Sequence, residues 1–362
     1  MSEPDTRRIL IKTAAIVAGV LVLAWAVANF YPYRVPDPLW TEADLPGVPA
    51  SGNGWDHVPP ATEVEMIELD SSLESILGAE RPVQMITGAE FQRESLDAAF
   101  TQPAAHEALA VVEAVRAEPN FVVDCAFAEP CPQVVWFDLH KLAVLRALQL
   151  GLRGTSNDDA LALLGDLIRI DRSQLETTRS LLSYTMAVIN LRQALVAAQA
   201  VILERQALTG DTILDRQLDP APVEALLDEV RKLDPSWREL QQAVIGEYLR
   251  HRAALLAVSG GSDALADFEG PRALLSPGLT LRHWNREFRQ RYAAAEAGEI
   301  ERALGIGERS PTKTPGWFLL NPGGRLLIAA MMFEVEGTAE SLGEALEGID
   351  AQRKGLLGDG DG

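Results

Sequence analysis

The chain has 362 residues, 47% of them hydrophobic and 23% charged, which is typical of a folded protein with a sizeable core. Its formal net charge of −20 argues against nucleic acid as a partner, because binding phosphates requires lysine and arginine. With only two cysteines and five histidines, neither a metal centre nor a cofactor is expected.

The N-terminal segment predicts a membrane anchor. Residues 13–30 are almost purely apolar, and with residues 9–11 they approach the roughly 20 residues that cross a bilayer core as a helix. Three basic residues precede this stretch, at Arg7, Arg8 and Lys12, and acidic residues soon follow it. By the positive-inside rule we predict a cytoplasmic segment 1–8 and a single-pass transmembrane signal anchor 9–31 in a bacterial inner membrane, with the bulk of the chain in the periplasm.

Two alternatives for this segment stay open. Ala24-Trp25-Ala26 resembles a small-x-small cleavage site, which would make residues 1–26 a removed signal peptide. Residues 6–12, with the pair Arg7-Arg8, resemble a twin-arginine signal, which would imply export in the folded state. Both alternatives lead to the same compartment as the anchor.

A disulfide between Cys125 and Cys131 is predicted from that compartment. Disulfides persist in the periplasm, and the prolines at 130 and 132 indicate a loop that such a bond would steady. The alternative is two buried free thiols. The spacing is not that of a Cys-x-x-Cys motif, so no redox role is assigned.

The segment after the anchor is rich in proline and in acidic residues. Seven prolines between residues 32 and 60 predict an extended linker over 32–62 that acts as a stalk off the membrane. Residues 37–100 carry thirteen Asp or Glu and two Arg. We interpret this excess as a solvated face, with a docking surface for a basic partner as the alternative.

Residues 63–356 predict an all-α extracytoplasmic domain, followed by a disordered tail over 357–362. Ser156 and Asp159 match a capping box before a helix, and with a helix over 134–150 they predict a helical hairpin. Further helices are predicted at the positions that apolar periodicity marks, namely a helix or helix pair over 173–206 and helices over 237–259, 281–297 and 325–356. The architecture is expected to be a helical bundle or an irregular helical-hairpin solenoid.

Two resemblances bear on this region. The hairpin Leu145–Ile170 resembles a single tetratricopeptide-type helix pair, with Gly154 and Ala160 near the small-residue positions of that pattern. Residues 121–204 and the turn 321–325 resemble a group of membrane-anchored helical proteins of bacterial envelopes that has no assigned activity. The resemblance therefore implies a location and a helical fold, and it carries over no functional residue.

One basic cluster stands out in this acidic chain, consisting of Arg282, His283, Arg286, Arg289 and Arg291. Two interpretations stay open for this candidate patch: ion pairing with the acidic region 63–97 or with a partner, which we favour, and binding of an anionic ligand such as a lipid phosphate or a glycan acid. No catalytic set can be named from the sequence.

Two other short sequence patterns resemble functional sites. Glu247 and His251 are spaced as an i,i+4 pair, which we interpret as a surface ion pair. Residues 257–264 resemble the phosphate loop of ATP pyrophosphatases such as tRNA-lysidine synthetases. Because a long helix and not a strand is predicted before them, we interpret Ser259-Gly260-Gly261 as a helix end.

The leading hypothesis for function is a membrane-anchored, non-enzymatic interaction or scaffold module with an envelope protein partner. The alternatives are an anchored envelope hydrolase, whose site is assembled from distant residues, and a binder of an anionic or apolar lipid. The lack of a visible catalytic set favours the non-enzymatic role. The sequence does not predict the oligomeric state.

Overall fold

In the computed structural model, the described residues are 17–27, 34–60, 93–125, 133–152, 156–211, 220–233, 237–259, 276–304 and 336–357. Within these ranges the regular structure is helical and no strand occurs; a single backbone bridge joins Asn53 and Asn120. The prediction of an all-α fold is confirmed.

The helices of these ranges, in chain order, are α1 (Val17–Val27), α2 (Arg93–Ala99), α3 (Pro103–Arg116), α4 (Gln133–Leu152), α5 (Asn157–Glu176), α6 (Leu181–Asp211), α7 (Ala221–Arg231), α8 (Trp237–Ser259), α9 (Pro277–Glu296), α10 (Ile300–Ala303) and α11 (Glu336–Leu357). Two short 3-10 turns, Glu42–Asp44 and Gly54–His57, lie between α1 and α2.

The predicted hairpin is formed by α4 and α5, which pack against each other. Ser156 is the N-cap residue of α5, so the start of this helix is as predicted. The capping box itself is not formed, because the Ser156 hydroxyl donates to the Asp159 carboxylate and makes no bond to the helix backbone.

Helix α6 is the centre of the body and packs against α4, α5, α8 and α11. A helix that contacts a partner more than a hundred residues away does not belong to a solenoid, in which each repeat contacts its neighbours. Of the two predicted architectures, the contacts therefore favour the bundle. The helix or helix pair predicted over 173–206 is a single helix, α6, which begins at Leu181, and residues 173–176 are the last turn of α5.

Within the described residues, Leu181–Gln206 is the stretch long and apolar enough to cross a membrane, but 67% of its apolar window is buried inside the body. Side chains such as Leu195 and Val196 are fully covered by the surrounding helices. Burial of this kind is what the core helix of a bundle requires, so we assign α6 to the core.

Helix α1 is the described part of the predicted anchor and differs from α6 in its exposure. Its large apolar side chains are open, with exposed fractions of 59% for Val20, 64% for Leu21 and 65% for Leu23. The remainder of the predicted anchor, residues 9–16 and 28–31, lies outside the described residues.

The described part of the Pro-rich segment includes the two 3-10 turns and lies along the body. We call residues 34–46 the strap. The Arg252 guanidinium donates to the Pro36 carbonyl at 2.9 Å, and the Arg179 guanidinium donates to the Pro46 carbonyl at 3.4 Å. The Trp40 ring packs at 5.2 Å on that of Tyr248. The expected stalk off the membrane is therefore replaced, over these residues, by a segment bound to the body.

The chain after the strap is also tied to the body. The Asn53 side chain accepts from the Val122 N–H at 2.9 Å and donates to the Val122 carbonyl at 3.0 Å. Trp55 is buried and meets Phe121 edge-on. The apolar run 121–123, which is too short for a sheet, is thus buried under the N-terminal segment.

Candidate functional site

An open groove of about 410 Å³ lies where the strap crosses the end of α5 and the start of α8. Three carboxylates line it: Asp44 from the strap, Glu176 from α5 and Glu239 from α8. The other lining residues are Leu45, Pro46, Arg238 and Gln242. Three carboxylates from three separate segments and one guanidinium, that of Arg238, therefore line the groove, so its acidic edge has a net negative charge.

A small apolar cavity of about 30 Å³ adjoins the groove, with Glu176 and Glu239 lining both. Its remaining walls come from α5, α6, the end of α7 and α11, through Arg172, Leu175, Tyr184, Val188, Leu191, Leu233, Leu346 and Ile349. It has room for about one water molecule, so only a small group enters without movement of the walls. The apolar cavity thus forms the floor of the groove, next to its carboxylates.

Arg172 links two of the segments that line this cavity. Its guanidinium donates to Glu176 at 2.8 Å and to Glu229 at 3.3 Å, which joins α5 to α7. Burial by itself would lower the pKa of Arg172, but the hydrogen bonds and charges of Glu176 and Glu229 outweigh burial and raise the pKa. The cation is therefore permanent, and part of the charge of Glu176 is already balanced.

Two polar groups at the groove and the cavity have unused hydrogen-bonding capacity. Tyr184 is 3% exposed, and its hydroxyl makes no hydrogen bond within the described residues. Burial, and then the nearby charge of Glu239, raise the pKa of Tyr184, so its hydroxyl stays a donor. The side-chain oxygen of Gln242 is buried and accepts no bond from the described part of the chain. Both groups are available to a ligand in this region.

His140 and Asp171 form a fully buried pair between α4 and α5. The His140 Nε2 and Asp171 Oδ2 atoms are 2.9 Å apart, and both side chains are 0% exposed. Burial raises the pKa of Asp171, although the charge and hydrogen bond of His140 oppose this. A pair that touches no solvent has no access to a substrate, so we assign it to the core.

Glu247 and His251 form the i,i+4 pair that their spacing predicts, with Glu247 Oε1 3.0 Å from His251 Nε2. The surface location was wrong, because Glu247 is buried, and the His251 ring meets Trp284 of α9 edge-on at 5.0 Å. Burial would raise the pKa of Glu247, yet His251 and Arg250 outweigh burial and lower it to about 2. This buried carboxylate therefore keeps its charge, and the two side chains that pair with it both belong to α8.

The structure divides the predicted basic cluster between two faces of α9. Arg282, Arg286 and Arg289 are exposed, whereas Arg291 is 4% exposed and its guanidinium lies 5.2 Å from the Phe288 ring centre. His283 accepts a bond from the Arg286 guanidinium at 3.0 Å through Nδ1. Three arginines with His283 thus share the outer surface, and Arg291 belongs to the core. Most of the acidic region 63–97, the predicted partner within the chain, lies outside the described residues.

The remaining predicted sites fall partly outside the described residues. No free cysteine occurs in the described ranges, but Cys131 is not among them, so the disulfide with Cys125 stays a prediction. Helix α8 runs to Ser259, as the helix-end interpretation requires, while Gly260 and the residues after it are not described. No group of three metal-binding side chains occurs in the ranges that the structure covers.

Comparison of the chain with protein-family models, with curated proteins and with solved structures finds no match. Function must therefore be argued from the geometry alone.

The groove was not found from the sequence. Asp44 is one of many acidic residues in its region, and Glu176 and Glu239 each resemble ordinary charges at a helix end. Helix periodicity gave one usable signal, because Tyr184, Val188 and Leu191 fall on one face of α6 at spacings of four and three. Nothing in the sequence indicated which carboxylates that face would meet.

Proposed function

We propose that this chain is a single-pass inner-membrane protein whose helical body, in the periplasm, binds a segment of an envelope partner. The groove bounded by Asp44, Glu176 and Glu239 is the binding site. Its occupant presents a basic group beside a small apolar side chain. The observation that carries the proposal is that the acidic edge of the groove is continuous with its apolar floor. The acidic edge would bind the basic group of the segment, and the apolar floor would bind its small apolar side chain.

The anchor part of the proposal is supported by α1 and the residues around it. Contiguous exposed apolar side chains on a helix are unfavourable in water and favourable in a bilayer. The basic residues before the helix fit a cytoplasmic N-terminus. The cleaved signal peptide and the twin-arginine route remain alternatives for export, and both deliver the body to the same side.

Two of the described His–carboxylate pairs are buried, which removes them as candidates for catalysis. A general base must come within hydrogen-bonding reach of a substrate proton. His140 and Asp171 are fully enclosed, and Glu247 is buried. The hydrolase alternative would have to use accessible groups, such as the groove carboxylates or the exposed pair His57–Glu118. It would be favoured by turnover of an envelope polymer that Glu176→Gln, Glu239→Gln or His57→Gln abolishes.

Membrane fractionation tests the anchor. The full chain is expected to stay in the membrane pellet after alkaline carbonate extraction, and protease added to spheroplasts should digest the body. Recovery of the intact chain in the soluble cytoplasmic fraction, protected from the protease, would refute the proposed membrane anchor and periplasmic location.

Site-specific photo-crosslinking in cells tests the groove. A benzophenone amino acid at Gln242 should give a discrete crosslinked product, and the same probe at Glu347, exposed on α11, is the matched control. The crosslinked partner peptide is expected to contain lysine or arginine, and Glu239→Gln should weaken the product. Identical products from both positions, or a product insensitive to Glu239→Gln, would argue against the groove.

A further inference from the structure

We propose that the exposed arginines of α9 bind anionic phospholipid headgroups of the membrane that anchors the chain. We call Arg282, Arg286 and Arg289 the arginine stripe. This inference rests on the proposed anchor and adds a second contact between the body and the bilayer.

The arginine stripe is one continuous surface. Its members are spaced by four and then three residues, which places them on one face of a helix. All three are exposed, while Leu281, Trp284 and Phe288 on the opposite face are buried. Arg286 keeps 65% of its side chain exposed even with Glu287 and His283 beside it. Guanidinium groups on an open face are suited to phosphate oxygens, which they can bind in pairs.

The strap fixes where this face lies relative to the membrane. Pro36, whose carbonyl is bound by Arg252, lies five positions after the end of the predicted anchor at residue 31. A fully extended chain of that length spans at most about 18 Å. The next residue, Asp37, is bound through its carbonyl by Asn285 of α9 at 3.2 Å. The middle of α9 is therefore tethered close to the outer surface of the bilayer.

The arginine stripe lies beside this tether point. Arg282 and Arg289 are three and four residues from Asn285, which is about 4.5 and 6 Å along the helix axis. Arg286 follows Asn285 directly. Because the headgroup layer adds several ångströms to each side of the hydrocarbon core, long arginine side chains at this distance reach lipid phosphates.

The charge distribution gives the body a preferred orientation. The whole chain has a formal charge of −20, and anionic headgroups repel most of such a surface. Arg34 at the start of the strap is exposed as well, but the exposed Asp37 offsets its charge, so the arginine stripe supplies the positive charge at the tethered end. Attraction at this end and repulsion elsewhere would hold α9 against the bilayer and turn the rest of the body outward. The attraction falls as salt shortens the screening length.

Arginine footprinting on the full chain tests the proposal. The protein is reconstituted in nanodiscs of phosphatidylcholine alone and of phosphatidylcholine with phosphatidylglycerol, and phenylglyoxal modification is followed by mass spectrometry. The arginine stripe should react several-fold more slowly in the anionic discs, and high salt should abolish the difference. Arg231 and Arg302, which are 51% and 63% exposed on α7 and α10, are internal controls whose rates should not change.

A second measurement counts the lipid that stays with the protein. Arg282→Gln/Arg286→Gln/Arg289→Gln should lose the enrichment of phosphatidylglycerol over phosphatidylcholine in mixed-lipid preparations. Arg231→Gln/Arg302→Gln/Lys354→Gln removes the same charge from other exposed positions and should retain it. Equal modification rates in both kinds of disc, or unchanged enrichment in the first variant, would overturn the lipid contact. A chain that fails to enter nanodiscs at all would instead refute the anchor.

Discussion

The backbone N–H of Leu39 donates to the hydroxyl oxygen of Tyr248 at 3.0 Å, across 209 positions of sequence. The same hydroxyl donates to Asn285 Oδ1 at 2.9 Å, and the Asn285 amide donates to the Asp37 carbonyl. The strap, α8 and α9 are therefore joined by one closed set of hydrogen bonds. Because Tyr248 is fully buried, water does not readily replace its hydroxyl in this set.

Tyr248→Phe should release the strap. The change leaves the Leu39 N–H and the Asn285 carbonyl oxygen without their partner, which costs about 1–3 kcal/mol. Urea unfolding of the full chain in mild detergent measures this loss, and protease cleavage within 34–46 should become faster. Tyr184→Phe is the matched control, since that hydroxyl makes no hydrogen bond within the described residues. Equal stability of the two variants would contradict the role of Tyr248.

Glu247→Gln should destabilise the body at neutral pH by about 1–3 kcal/mol, because it removes the buried carboxylate that pairs with Arg250 and His251. The folded-state pKa of Glu247, about 2, lies below its ordinary value of 4.5. Its stabilisation is therefore complete above pH 4.5 and is lost as the pH falls toward 2.

Urea midpoints of the wild type and Glu247→Gln between neutral pH and pH 2 check this expectation. The difference between the urea midpoints of these two proteins should shrink as the pH falls from 4.5 toward 2. Glu344→Gln, a change at an exposed position of α11, should have the midpoint of the wild type at every pH. A difference that stays constant down to pH 2 would mean that the Glu247 charge contributes no stability.

Local signals predicted the parts of the fold that depend on neighbouring residues. Apolar periodicity and the Ser156 start located α4 and α5 within a few residues, because helix ends are set by side chains close in sequence. The i,i+4 spacing likewise predicted that Glu247 and His251 pair. It did not predict their burial, since the cover comes from Trp284 on another helix.

The same local signals could not predict contacts between segments that are distant in sequence. Seven prolines predict an extended backbone, but they do not say which surface that backbone binds. The strap lies on the body because Tyr248, Asn285 and Arg252 offer partners to its backbone groups. The groove is a further case, as its three carboxylates come from segments that meet only after folding.

The predicted disulfide can be checked directly. Full-length protein from membranes, unfolded in denaturant without reductant, should show no thiol that reacts with a maleimide, because an oxidising compartment favours the bond between Cys125 and Cys131. Reduction should expose two reactive thiols, and Cys131→Ser should expose one without reduction. Two reactive thiols in the unreduced wild type would refute both the bond and the argument from compartment.

Asp171→Asn should not destabilise the body at neutral pH. The folded-state pKa of Asp171 is raised above its ordinary value of 3.8, so its contribution to stability is complete below pH 3.8 and is lost as the pH rises through the folded-state value. Asparagine keeps an acceptor for His140 and removes the buried charge. Asp171→Ala leaves His140 unpaired and should cost about 1–3 kcal/mol. Thermal unfolding at pH 7 compares the two variants, and only Asp171→Ala should lower the Tm. An equal fall in Tm for Asp171→Asn and Asp171→Ala would contradict the raised pKa.

Two helical glycines should respond in opposite directions to alanine. A Cβ at Gly246 would lie 1.8 Å from the Arg179 carbonyl oxygen and 2.4 Å from its carbon, and neither backbone atom can swing away. Gly246→Ala must therefore push α8 off the turn between α5 and α6, at a cost of about 3 kcal/mol or more.

At Gly165 the nearest atom to such a Cβ is Leu226 Cα at 3.8 Å, which is ordinary contact. Gly165→Ala should stabilise α5 by up to about 1 kcal/mol through helix propensity alone. Thermal melts of both variants give the test. A fall in Tm for Gly246→Ala beside a small rise for Gly165→Ala is expected, and a Gly246→Ala melt like that of the wild type would show that α8 does not pack against Arg179 at this distance.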